Sequence, residues 1–293
     1  MSARTSGTAP AVLLVAVGLA CQEVGASLAV LLFDDVGPLG MVMLRLVFSA
    51  IVLLAIARPT LRGHGRDGWV SVALFGLVLA LMNGLFYLAL ERLPLGVTVT
   101  IEVLGPLVLS IVAARRASAW LWAALAFCGV LALGGGAGWG SLDPIGVLFA
   151  LGAAASWAFY ILASARVGRQ FPQLDGLALA MTVGALVALP FGIIQAQHAL
   201  LRVDLLAIGA AVAVLSSTIP YALELIALRR LPAAVFAILM SLSPATAALA
   251  GFVLLGQQLA PLQLAGVALV IAASIGAVRS SARAAGEVAE PLG

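Results

Sequence analysis

Lysine is absent from these 293 residues, and all 15 basic residues are arginine. Charge of either sign is scarce at 9% of the chain. A soluble globular protein carries about 25%. The two cysteines, Cys21 and Cys128, sit inside apolar runs, and the two histidines, His64 and His198, fall in predicted loops. This set offers neither a disulfide framework nor metal-ligand spacing. There is no HExxH helix, no Gly-x-Ser-x-Gly turn and no pair of aspartates within one apolar run. The chain is therefore not expected to be an enzyme, and no cofactor or metal is expected. The arginines form no basic stripe, so a pI near 9.4 does not point to nucleic acid.

What the chain has in abundance is apolar surface, with 63% hydrophobic residues and a mean hydropathy of +1.19. Soluble proteins hold roughly 45–50%. Such a chain is expected to be an all-α polytopic membrane protein whose environment is the lipid bilayer. The first apolar run begins at residue 10 and is too long for a cleavable signal segment. Breaks in charge and turn residues divide the sequence into ten runs. They cover 10–33, 38–57, 69–90, 95–114, 119–138, 145–165, 176–197, 204–228, 233–254 and 262–279. Each is about the 20 residues that a span requires. The connections leave no room for a soluble domain, and the small, polar tail, residues 280–293, is expected to be disordered and cytoplasmic.

Arginine placement sets the expected orientation. With the N-terminus in the cytoplasm, the inner side holds twelve arginines, among them Arg58, Arg62, Arg115, Arg116, Arg229 and Arg230. The outer side holds only Arg92 and Arg202, and Arg45 lies within a run. Both termini inside requires an even number of spans, which agrees with ten.

The sequence also repeats. LERLPLGVTVTIEVLGP, residues 90–106, returns as LRRLPAAVFAILMSLSP, residues 228–244, and Pro94 and Pro106 match Pro232 and Pro244 at one offset. Five spans per half is odd, so the second half is inverted relative to the first. The expected domains are a first five-helix repeat, 10–139, and a second, 145–279. Secondary transporters use this architecture, with substrate bound near the midplane between the repeats. The copy carries Met240 where the first half has Glu102, so only one half holds an acid there.

Four charged residues fall at membrane depth: Glu23, Arg45, Glu102 and Glu224. An ionisable group there is by default a functional hypothesis. Glu102 lies about 10 Å below the outer end of its span, at ~1.5 Å per residue. It must face a polar cavity, meet a cation or carry a proton. That suits it to substrate amine or coupling proton, the alternative being a structural ion pair with Arg45. Arg45 either grips a carboxylate with its guanidinium fork or snorkels to the outer interface. Glu23, beside Gln22 and the small residues Gly25, Ala26 and Ser27, is either a second proton site or a protonated acid bonded to a neighbouring helix. Glu224 stands near the inner end of its span, where pairing with Arg229 or Arg230 is expected.

Polar and aromatic groups complete the expected cavity. Asn83 and Tyr87 share one helix face, as do Trp157 and Tyr160. Ser216, Ser217 and Tyr221 follow in the eighth run. Pro94, Pro106, Pro220, Pro232 and Pro244 fall at span ends or inside spans, and Gly105-Pro106 is expected to kink its helix. The Asp34, Asp35, Asp143 and Asp204 carboxylates lie at predicted ends and are expected to be solvated.

Together these residues resemble a known family. The motifs are Leu44-Arg45-Leu46, Met82-Asn83, Phe86-Tyr87-Leu88, Pro94-Leu95-Gly96, Glu102 and Gly105-Pro106. In the second half they are Trp157, Tyr160, Pro220-Tyr221, Leu223-Glu224 and Leu239-Met240-Ser241-Leu242. The chain resembles the drug/metabolite transporter superfamily, and within it the EamA-domain exporters of the bacterial inner membrane. That resemblance implies two inverted five-helix halves and export of a small metabolite, driven by the proton gradient. A small zwitterion such as threonine or homoserine would place its carboxylate on Arg45, with Glu102 and Glu23 handling amine or proton. Gln22, Asn83, Tyr87, Trp157, Tyr160, Ser216 and Tyr221 would complete the binding site, and Glu224 with Arg230 would form a structural pair. Other metabolites or cationic drugs are the alternative cargo. Three positions depart from the family pattern: Glu23 for a small residue, Ser243 for a glutamate before proline, and Gln257 for an acid after glycine.

Overall fold

The computed structural model describes residues 8–114, 117–135, 142–172, 174–220, 223, 227 and 239–289. Among the described residues there is no strand. The helices are α1 (Thr8–Val30), α2 (Phe33–Ala57), α3 (Arg66–Leu90), α4 (Leu95–Glu102), α5 (Leu104–Ala114) and α6 (Ala117–Gly135). There follow α7 (Pro144–Gln170), α8 (Asp175–Ala196), a 3-10 turn over Gln197–Leu201, and α9 (Val203–Ala213), which runs into a π-helical turn, Val214–Thr218. The last two helices are α10 (Ser243–Leu255) and α11 (Pro261–Ala289).

Six of the helices are long and apolar enough to cross a membrane, and four shorter apolar segments lie among the described residues: Leu95–Leu109, Trp120–Leu133, Val203–Thr218 and Ser243–Leu255. The surface is apolar while the interior holds polar groups. Trp120, Phe127, Phe159, Ile194 and Val253 are each more than half exposed, whereas Glu23, Ser27, Asn83, Thr100 and Ser217 are buried. Water would not tolerate so much exposed apolar surface, and lipid would. The protein is a multi-pass membrane protein. Cys21 and Cys128 are free thiols on its helices.

Three boundaries differ from the sequence expectation. The fourth run is interrupted for one residue, Val103, between α4 and α5, three residues ahead of Pro106, and bonds from Val103 N–H to Val99 O at 3.0 Å and from Leu107 N–H to Val103 O at 3.3 Å carry the helix across it. Pro106 lacks the N–H that would bond the Glu102 carbonyl, which weakens the ladder there. A turn at Ser241 and Leu242 precedes α10 in the same relation to Pro244. Second, α2 begins at Phe33, ahead of Pro38, with Gly37 at φ 68° absorbing the irregularity. The Gln195 side-chain oxygen accepts the Leu39 and Gly40 N–H groups at 2.6 and 3.1 Å, so the donors exposed there are satisfied. Third, the tail expected to be disordered continues α11 as helix as far as Ala289, in keeping with the helix propensity of its alanines.

The helices pack α2 on α8, α3 on α7, α6 on α11 and α4 on α10. Where α6 crosses α11, Gly129 and Gly266 meet. A Cβ on either would come within 2.8 or 2.6 Å of the other's carbonyl oxygen. Such crossings of small residues let helix backbones approach in lipid. Polar ties close one end of the bundle. Asp143 caps α7 by accepting from Ile145 and Gly146 N–H at 2.8 and 3.3 Å, and pairs with Arg92 at 2.8 Å. Arg202 bridges Asp35 at 2.9 Å and Asp204 at 2.6 Å.

Candidate functional site

Arg45 is the central residue of the 25-residue α2 and is 8% exposed. It does not snorkel. Its Nε donates to the Ser217 hydroxyl at 2.8 Å, Nη1 to the Tyr87 hydroxyl at 3.2 Å, and Nη2 to the Ser216 carbonyl at 3.0 Å. The guanidinium carbon also lies 5.6 Å from the centre of the Tyr87 ring, within cation–π range. Tyr87 is fully buried and braced by Phe33 and Phe86, with ring centres 5.8 and 5.6 Å away. In a low-dielectric interior an interaction between this guanidinium and a carboxylate counts for more than in water.

The local sequence explains why a backbone carbonyl is available. The Ser216 carbonyl would ordinarily bond the N–H four residues on, but that residue is Pro220, which has none. The chain relaxes into the π-helical turn, where Ile219 N–H bonds Val214 O. Such π-bulges concentrate at functional sites. Helix α1 lies directly against this turn at Gly25, where a Cβ would come within 2.7 Å of the Ser216 Cβ.

Two acids complete the cluster. Glu23, two residues before Gly25, is 2% exposed. Glu102 ends α4 at the break. Each acid feels the charge of Arg45, and Glu23 also feels that of Glu102. Glu23, Arg45, Tyr87, Ser216 and Ser217 are buried and Glu102 is half-buried, and the two acids lie within electrostatic reach of Arg45 in a neighbourhood built by α1, α2, α3, α4 and the π-turn.

The remaining expected residues divide. Gln22 is half-buried on α1, next to Glu23. Asn83 is buried, but its amide donates back to Leu79 O at 2.8 Å within its own helix. Tyr160 packs on Phe75, ring centres 5.3 Å apart. Phe75 lies twelve residues before Tyr87 on α3, about 18 Å along the axis at ~1.5 Å per residue. Tyr160 thus meets α3 about three turns from Tyr87, and Trp157 on the same helix is half-buried. Tyr221, Glu224 and Arg230 lie outside the described residues.

Two glutamines with structural work were not foreseen from sequence. Gln195 caps the irregular start of α2, and Gln257 accepts the Leu95 N–H that opens α4 at 2.9 Å. The proline after Ser216 was the signal available for the carbonyl, since it marks an orphaned acceptor four residues upstream.

Among the described residues the bundle is helical and lipid-facing, and it buries charged groups of the kind that mark substrate or ion pathways in membranes. The sequence profile of the EamA-like transporter family matches residues 144–279. The threonine/homoserine exporter RhtA of Escherichia coli (strain K12) is 38% identical over 266 residues, 90% of each chain. RhtA of Salmonella typhimurium (strain SL1344) gives the same identity and coverage. The uncharacterized transporter YvbV of Bacillus subtilis (strain 168) is 25% identical over 163 residues, 51% of this chain and 52% of YvbV. A crystal structure of 19% sequence identity superposes with a TM-score of 0.62, over 96% of this chain and 99% of its own, a likeness in fold. The chain belongs to the EamA-like transporter family.

Proposed function

We infer that this protein exports a small amino acid of the threonine or homoserine kind across a bacterial inner membrane, coupled to protons by alternating access. The observation that carries the reading is the buried Arg45, bonded to Ser216, Ser217 and Tyr87 with Glu23 and Glu102 in electrostatic reach. A zwitterion fits such a site: its carboxylate takes the guanidinium fork, and its ammonium or a proton takes an acid. Export by relatives of 38% identity over 90% of the chain supports the direction and the cargo. A buried arginine weighs against cationic drugs.

Ten spans in two inverted five-helix halves fit the packing. The pairs α2 with α8, α4 with α10, and α6 with α11 each join equivalent members of the two halves. The contact of α3 with α7 is answered by that of α9 with α1. The interruption at Val103 and the turn at Ser241–Leu242 stand at equivalent places in the two halves, where bending would serve rocking between two access states. The arginine bias supports both termini in the cytoplasm.

Purified full-length protein in vesicles tests this. Labelled threonine or homoserine should move, faster with an imposed pH gradient. Absence of movement of either, with and without the gradient, would sink the amino-acid reading. Movement indifferent to the gradient would sink the proton coupling.

A further inference from the structure

We propose that Pro220 and Ser217 are positioning residues that aim Arg45, making the π-helical turn the element that sets selectivity for a carboxylate. The inference rests on the amino-acid reading above and goes beyond it by assigning the specificity to a backbone defect on another helix.

The defect has a single chemical origin. Any residue other than proline at position 220 would offer an N–H to the Ser216 carbonyl and allow an ordinary α-helical turn. With Pro220 the carbonyl points its acceptor away from the helix ladder, and Arg45 Nη2 takes it at 3.0 Å. The next residue adds the second anchor, as the Ser217 hydroxyl accepts from Nε at 2.8 Å. Two consecutive residues therefore grip adjacent edges of one planar guanidinium, while Tyr87 takes the remaining nitrogen from α3. The Ser216 hydroxyl donates back to Val212 O at 2.7 Å, and its contribution to the arginine is the backbone carbonyl. A fork held at three nitrogens is fixed in plane and direction, and fixed direction distinguishes a bidentate carboxylate from a neutral amide.

The grip also crosses the molecule. Arg45 and Ser217 are 172 residues apart, on α2 and on the turn after α9. The fork is thus held partly by each side of the helix packing, so movement of one side against the other changes its aim. This would let the site lose its hold on cargo when access switches.

The test compares threonine with threoninamide in vesicles containing the full-length protein. Wild type should prefer the carboxylate. Pro220→Ala and Ser217→Ala should each raise KM for threonine about tenfold, the scale of one charge-assisted hydrogen bond, and erase most of the preference over the amide. Ser217→Thr, which keeps the hydroxyl, should retain both. An unchanged threonine-to-amide ratio in Pro220→Ala and Ser217→Ala, in protein that still transports, overturns the inference and leaves the export reading standing. A second arm does not depend on transport. In 15N-arginine-labelled protein the Arg45 Nε–H should exchange slowly with solvent, and about tenfold faster in Ser217→Ala. Equal exchange in the two proteins would also overturn it, whereas a wild type that moves no amino acid but shows the slow exchange would overturn only the export reading.

Discussion

The side-chain oxygen of Gln257 accepts the backbone N–H of Leu95 at 2.9 Å, across 162 residues of sequence. Leu95 is the first residue of α4, and Pro94 before it has no side chain that can cap. The glutamine therefore does for α4, from a distant loop, what a neighbouring serine or aspartate does for most helices. It also joins the end of α10 to the start of the helix that carries Glu102.

Removal of that acceptor should be visible as lost stability. Gln257→Ala leaves an N–H unmet at a helix start and should cost about 1 kcal/mol. Gln257→Glu keeps the acceptor and places negative charge at a helix N-terminus, so it should melt no lower than wild type. Thermal unfolding in one detergent ranks the three proteins. An alanine variant that melts with wild type would show the cap to be dispensable.

Asp143 gives a pH dependence outside the membrane-spanning segments. The hydrogen bond from Arg92 and the backbone N–H of Ile145 hold its carboxyl below the ordinary 3.8. A carboxyl whose folded value is depressed contributes stability that is present above the unfolded value and lost as pH falls through the folded one. The contribution should therefore be intact at neutral pH and disappear below about pH 4. Asp143→Asn should melt lower than wild type at pH 7, and the difference should shrink toward pH 3. A difference independent of pH would mean that the carboxylate charge is not what caps α7.

Much of this architecture could be read from sequence because lipid imposes a strict rule: apolar runs of about 20 residues must be helices. The runs starting near residues 69, 145, 176 and 204 appear within three residues of those positions as α3, α7, α8 and α9. Charge at membrane depth likewise pointed to Glu23, Arg45 and Glu102, which the fold brings together. What sequence did not show was register between helices. Trp157 and Tyr160 share a helical face, but that says nothing of the level at which the face meets α3, and Tyr160 meets it at Phe75, far from Tyr87. The caps by Gln195 and Gln257 were hidden for the same reason, since each serves a helix more than 150 residues away.

Gly25 should be intolerant of even one methyl group. A Cβ there would lie 2.7 Å from the Ser216 Cβ and 3.0 Å from the Ser216 nitrogen, so backbone as well as side chain would have to move. Overpacking of this kind costs about 1–3 kcal/mol. Because the displaced residue is the one whose carbonyl holds Arg45, Gly25→Ala should also raise KM. Gly168 on α7 is the control: nothing lies within 4 Å of its added Cβ. Gly168→Ala should stabilise by about 0.5–1 kcal/mol through helix propensity alone, without altering transport. If the two variants melt and transport alike, α1 does not rest on the π-turn as described.

Glu102 and Glu23 should separate on replacement by glutamine, which matches the protonated acid in shape and cannot release a proton. Glu102 ends α4 at the break before α5, and its own carbonyl is deprived of a donor by Pro106, so a change of charge there sits at the point where the helix can bend. Glu23 lies within the continuous α1 and is nearly sealed from solvent. If the bend converts proton binding into a change of access, Glu102→Gln should abolish the stimulation by a pH gradient while preserving exchange of labelled for unlabelled amino acid. Glu23→Gln removes an ionisable group near Arg45 without touching the break, so it should alter KM about tenfold and leave the gradient response in place. Gradient-driven transport and counterflow, measured in the same vesicles, distinguish the two roles. Retention of a full gradient response by Glu102→Gln and its loss in Glu23→Gln would move the coupling site from α4 to α1.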